Sequence, residues 1–200
     1  MTNKTTTILK EQKMKSLPKI FTTNKSIVDE YDLEENYKKF SKTPSTKRGR
    51  AKESFSDAKN TFMRASLDEI FGTDGSLIES WRVGLAIFDG CCYLCNEKLY
   101  TETGETVSNA DIQADHIVSH KYGGTASAGN LLAAHRTCNN LKAETLIEEF
   151  LSDKPEQLAK VRDFQKIYDY TAPDMKTFKE IEQLIFEQWE ELTSRIRALK

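Results

Sequence analysis

With 200 residues, 38% of them hydrophobic and 30% charged, the chain is long enough for one full domain with extensions and a modest core under a well-solvated surface. It has no run of 18 apolar residues, and the opening segment MTNKTTTILKEQKMK has no apolar block of signal-peptide length; these exclude a membrane-spanning helix and predict a cytoplasmic protein. The net charge of −2 hides an asymmetry: residues 1–53 carry 13 Lys and Arg against 7 Asp and Glu, residues 54–142 carry 7 against 11, and residues 143–200 carry 9 against 13. A polyanion would be drawn mainly to the N-terminal third.

Residues 1–53 have weak periodicity and few large apolar side chains, so a largely irregular basic arm is expected, with a short helix near Ile27–Phe40. Within it, NYKKFSKTPSTKRGRAK (36–52) holds seven basic residues and no acidic one. This reads as a solvated linker or as an arm on a DNA backbone, with Lys47, Arg48 and Arg50 as contacts and Tyr37 and Phe40 offered to bases. The two readings are compatible, because a disordered arm can order on binding.

Residues 54–71 predict a helix with a stripe of Phe55, Phe62, Ala65 (or Ser66) and Ile70. SLIESWRVGLAIFDG opens with a Ser76–Glu79 capping box, ends at Gly90, and should bury Leu77, Trp81, Leu85 and Phe88. CCYLCNEKLY follows as a tight knuckle, then a turn at TETGE. A short strand is expected over 111–117, then a Gly-rich loop (121–129) and a helix near 131–151. The central unit is taken as residues 54–151 and a helical C-terminal extension as 152–200. In the extension, Pro155 suits a first helical turn, and Leu158, Val161, Gln165 and Tyr168 share a face widened by Phe164 and Ile167. After TAPD (171–174), a last helix aligns Phe178, Ile181, Ile185, Trp189, Leu192, Ile196 and Leu199, either to pack on the chain or to form a homodimer seam.

All four cysteines and all three histidines lie between positions 91 and 138. Cys92-x-x-Cys95 and His135-x-x-Cys138 are two clips, each able to hold one edge of a tetrahedral Zn²⁺. With all four protein ligands filled, such an ion holds structure rather than catalysing. Cys91 is one residue out of register, a spare or a substitute for Cys92.

His116 and His120 remain. Asp115-His116 ends a predicted strand; Asn130, Asn139 and Lys142 follow, the last two on one helical face. Taken singly, Asp115 and His116 read as a surface pair and Asn130 as a helix cap. Together they supply the parts for phosphodiester hydrolysis. A carboxylate and an amide oxygen suit a hard divalent cation, a neutral imidazole can take a proton from water, and a lysine can hold a phosphate oxygen.

The string CYLC…ADHIVSHKYGG…NLLAAHRTCNNLK resembles the zinc-containing branch of the HNH endonuclease family over about residues 90–145. The resemblance implies an α+β, mostly helical chain around a small ββα-metal core of two antiparallel strands and a helix, stabilised by a structural zinc knuckle. It implies His116 as general base, Asp115 and Asn139 as ligands of a catalytic Mg²⁺ (or Mn²⁺), and Asn130 as a structural residue bonding across the loop. Lys142 falls at a frequently basic position and would contact phosphate. His135 departs from the family's usual cysteine and Ser119 from its usual proline; His120 is extra, expected as a solvent-exposed loop histidine or a phosphate contact. The implied activity is DNA cleavage leaving 5′-phosphate and 3′-hydroxyl ends, in a phage, restriction or anti-phage defence setting. The alternative is a non-catalytic, zinc-stabilised nucleic-acid-binding or adaptor subunit. The acidic C-terminal helices suggest a protein partner in either case.

Overall fold

The structure, a computed structural model, describes residues 20–43, 55–73, 75–108 and 110–199. Lys47, Arg48 and Arg50 lie outside the described residues. Among the described residues three short helices come first: α1 (Ile20–Thr23), α2 (Lys25–Glu30) and α3 (Leu33–Phe40). The helix expected near Ile27–Phe40 thus forms in two pieces, broken where Asp32 takes a φ of +46°.

Residues 20–43 are not the irregular, solvated arm the composition suggested. Their few large apolar residues, Phe21, Ile27, Val28, Leu33 and Phe40, are all buried in the main core. Tyr37 meets Phe21 edge to face, with ring centroids 5.5 Å apart, and Phe40 meets Tyr100 at 6.3 Å. These contacts turn both rings toward the protein rather than toward a nucleic acid.

The helix α4 (Phe55–Phe71) pairs with the long C-terminal helix α9 (Met175–Ala198) around a second, smaller core of Leu67, Phe178 and Ile185, flanked by Phe62, Met63, Phe71, Met175 and Ile181. The stripe expected on α4 is rotated: Leu67 is fully buried, whereas Ile70 is 54% exposed. The seam expected on α9 packs through Phe178, Ile181, Ile185 and Trp189, whose ring lies 5.3 Å from that of Phe62. Its continuation through Leu192, Ile196 and Leu199 is exposed. No helix among the described residues is long and apolar enough to cross a membrane.

At the centre lies α5 (Leu77–Ile87), capped as expected by Ser76 Oγ, which accepts from the Glu79 amide at 3.3 Å. From Ser80 onward nearly all of it is buried, because α3, the sheet and α8 (Pro155–Ile167) pack on different sides of it. Leu77, assigned to its buried face, is instead exposed in the first turn. Pro155 occupies the first turn of α8, as predicted.

The functional segment follows α5. A knuckle over residues 91–100 is closed by a bridge between Cys91 and Lys98. Then come β1 (Ile112–His116), a 3₁₀ turn (His120–Tyr122), β2 (Leu131–His135), α6 (Arg136–Lys142) and α7 (Ile147–Phe150). The strands pair antiparallel, with Asp115 opposite Leu132 and His116 opposite Leu131. The helix expected from residue 131 therefore starts only at 136. Leu-Leu-Ala-Ala favours helix locally, but non-local pairing with β1 and burial against α5 override that preference. The chain is α+β: helices around one small ββα unit.

Candidate active site

The two clips converge. The ligand atoms of Cys92, Cys95, His135 and Cys138 all lie within 4.8 Å of one another. Zn–S and Zn–N bonds of roughly 2.0–2.3 Å require ligand separations just below 4 Å, so three sulfurs and one imidazole in this cluster suit a tetrahedral Zn²⁺. Cys95 Sγ lies 3.4 Å from His135 Nδ1, and the His135 amide donates to Cys92 Sγ at 3.4 Å. Cys91 is turned away, its Sγ 3.6 Å from the Asp89 carbonyl, which leaves Cys92 as the ligand. Burial pushes the Cys95 thiol up to about 12 and raises Cys138 as well, so metal binding would displace protons from these sulfurs.

The second constellation forms where α6 crosses one face of β1. Side chains two apart on a strand share a face, and residues three apart on a helix do too. Gln113 and Asp115 on β1 thereby meet Asn139 and Lys142 on α6. Asn139 Nδ2 donates to Gln113 Oε1 at 3.0 Å, which turns the Asn139 carbonyl oxygen away from the strand residue. Lys142 Nζ lies 3.3 Å from Asp115 Oδ2 and 3.4 Å from Oδ1, and donates to the His116 carbonyl at 2.7 Å. The Tyr93 hydroxyl donates to Asp115 Oδ2 at 2.5 Å.

Lys142 is 0% exposed and Asp115 is 5% exposed. The lysine expected to reach a phosphate from the surface is therefore an internal strut. Its ammonium neutralises Asp115 and fixes the end of β1. Burial raises the Asp115 carboxyl above its ordinary value, opposed by the Lys142 ammonium and the Tyr93 hydroxyl. Removing one partner of a buried ion pair strands the other, at about 3–5 kcal/mol. Lys142→Met, which keeps the apolar stem, is expected to lose about that much stability in urea unfolding. A loss under 1 kcal/mol would show that the pair is not buried in solution.

Asn130 is completely buried and ties the loop between the strands. Its Oδ1 accepts from the Val118 amide at 2.9 Å, and its Nδ2 donates to the carbonyls of Val118 at 3.1 Å and Thr125 at 2.9 Å. Gly124 sits where a Cβ would fall 1.7 Å from the Val118 carbonyl oxygen, so only glycine lets the loop close this tightly. His116 is half-buried at the mouth of this loop, at the C-terminal end of β1. His120 packs its ring edge-on against Phe178, with centroids 5.4 Å apart. It is part of the packing between the 3₁₀ turn and α9, not a solvent-exposed loop residue.

Two participants were not visible in the sequence pattern. Tyr93 lies between the zinc clips' first two cysteines but acts 22 residues away, on Asp115. Gln113 orients Asn139 from two residues upstream of Asp115. The strand alternation over 111–117 was the signal for Gln113; Tyr93 carried none, since an aromatic residue inside a knuckle ordinarily reads as core.

A family model described as HNH endonuclease matches residues 92–145, the segment that runs from the first zinc clip past the end of α6. No curated protein and no solved structure matches the chain.

Proposed function

From the HNH match over residues 92–145, which together with the Cys₃His group marks this segment as an HNH domain able to hold zinc, we propose that the protein is a metal-dependent endonuclease that hydrolyses DNA phosphodiester bonds. The observation that carries this reading is the ββα unit within the matched segment, with Asp115 and His116 at the end of β1 and Asn139 on the α6 helix that packs against it.

Asp115 and the Asn139 amide oxygen are hard donors suited to Mg²⁺ or Mn²⁺. When bound there, the cation supplies Lewis-acid stabilisation of charge on the phosphate and on the leaving oxygen. His116 takes a proton from water as the water oxygen bonds to phosphorus. The P–O3′ bond breaks and the 3′ oxygen takes up a proton, leaving a 5′-phosphate and a 3′-hydroxyl. Lys142 holds Asp115 ionised and fixes the carbonyl of His116, so it is a positioning residue. Asn130 keeps the base strand aligned through the loop. The Cys₃His site supports structural Zn²⁺, and a cytoplasmic setting accords with cysteines used as ligands rather than in disulfides. A phage, restriction or anti-phage role, and a protein partner or second copy along α9, belong to the same reading.

A second reading, a zinc-stabilised nucleic-acid-binding or adaptor module that does not cut, draws on the engagement of Asp115 Oδ2 by both Tyr93 and Lys142. Incubation of the purified protein with plasmid and single-stranded DNA separates the two. The nuclease reading expects cutting with Mg²⁺ or Mn²⁺ and none with EDTA, in protein that contains one zinc per chain. DNA binding without cutting in either metal would overturn it in favour of the second.

A further inference from the structure

Residues of α4, α9 and the 3₁₀ turn that follows β1 surround an opening. The opening is a cleft of about 590 Å³, lined among others by Lys59, Arg64, His120, Lys179, Glu182 and Phe186. Three cations, Lys59, Arg64 and Lys179, face the Glu182 carboxylate, and Asp68 also acts electrostatically on His120. The Lys179 ammonium is paired with Glu182 at 2.6 Å, and the Lys59 ammonium lies 4.0 Å above the centre of the Phe186 ring. The cleft therefore retains an excess of positive charge, in a chain whose net charge is −2.

The more specific observation is at its base. His120 Nε2 is buried and has no hydrogen-bond partner among the described residues. Buried polar atoms are nearly always paired, so His120 Nε2 calls for a partner that the described residues do not supply, a water or a ligand atom. His120 is also tied to the candidate active site by the chain itself: it is four positions after His116, at most about 14 Å of backbone. At 3.4 Å of axis per phosphate along one strand, that is a distance of a few nucleotides.

We propose that this cleft is a phosphate subsite for the DNA strand flanking the scissile bond, with Lys59 and Arg64 supplying charge and His120 Nε2 a directional hydrogen bond. The proposal rests on the nuclease reading for the word scissile, but the binding it describes is separate from cleavage. Lys59 and Arg64 project from α4, and His120 from the turn that continues the base strand. A phosphate held between them would fix the strand relative to His116.

The test uses the full-length zinc-loaded protein and a fluorescein-labelled 30-nucleotide DNA, as a duplex and as a single strand, followed by anisotropy across a salt series in EDTA. The form bound more tightly is used for comparison. Lys59→Gln/Arg64→Gln is expected to weaken binding roughly tenfold and to reduce the slope of log K against log salt by about 2, one for each lost cation. His120→Ala is expected to weaken binding with no change in slope. A control double variant on exposed cations elsewhere, Lys166→Gln/Arg195→Gln, should leave both unchanged. Folding is checked for each by circular dichroism and zinc content. Equal weakening in the control, or an unaltered slope in Lys59→Gln/Arg64→Gln, overturns the proposal, as does failure to bind either form of DNA. Cutting by the unmodified protein is read separately. Binding that depends on the cleft without any cutting removes the nuclease reading and keeps the subsite; cutting with cleft-independent binding does the reverse.

Discussion

His116→Ala is expected to fold, bind zinc and bind DNA as the unmodified chain does, yet to cut roughly 10²–10⁴ times more slowly, a barrier increase of about 3–5 kcal/mol. The expectation of an intact fold comes from how the residue is held. One group at position 116 that the interior uses is its carbonyl, which accepts from Lys142 Nζ, and alanine keeps that carbonyl. The ring itself is only half-buried. Adding imidazole should restore part of the rate, which a loss through misfolding would not allow. An unchanged cutting rate in this variant would remove His116 from the chemistry and with it the assigned mechanism.

The second large effect is on stability. Binding of structural zinc is worth about 10–16 kcal/mol in small zinc domains at neutral pH. Here α5 and α8 already bury part of the knuckle, with Cys92, Tyr93 and Leu94 inside the main core, so only a fraction of that should depend on the ion. Loss of about 5 kcal/mol would lower Tm by roughly 10–20 °C in a chain of this size. Stripping zinc with phenanthroline, or replacing Cys138 by serine, should do so in a thermal scan paired with metal analysis. Cutting should also disappear in excess Mg²⁺, because Tyr93, between two of the ligands, holds Asp115. A zinc-free protein with the same Tm and the same activity would contradict both claims.

What the sequence revealed and what it hid follow from the range of each interaction. The two clips could be read because x-x spacing alone brings their atoms close to one ion. The Ser76 cap could be read because it spans three residues. Asn130 was assigned to the loop through the family pattern, and its bonds to Val118 and Thr125 are the geometry such a role requires. β2 was misread because Leu131–Ala134 has helical propensity and its partner strand lies on the far side of a 14-residue loop. Lys142 was placed at the surface because lysine almost always is; its burial depends on Asp115 and on a carbonyl 26 residues away. Residues 20–43 looked solvated because Phe21, Ile27, Val28, Leu33 and Phe40 are widely spaced among polar neighbours. Only three-dimensional packing brings them to a common interior.

Gly84 lies on the face of α5 that meets β2, where a Cβ would come 2.6 Å from Leu132 Cδ2. The Leu132 side chain thus rests on bare helical main chain at Gly84. Leu132 stands opposite Asp115, and His135 is three residues further along the same strand. A methyl group added to the helix would crowd the tip of the Leu132 side chain, which would have to turn aside within a packed interior. A side chain left out of the helix is what makes room for Leu132, on the strand that also carries His135 of the Cys₃His group.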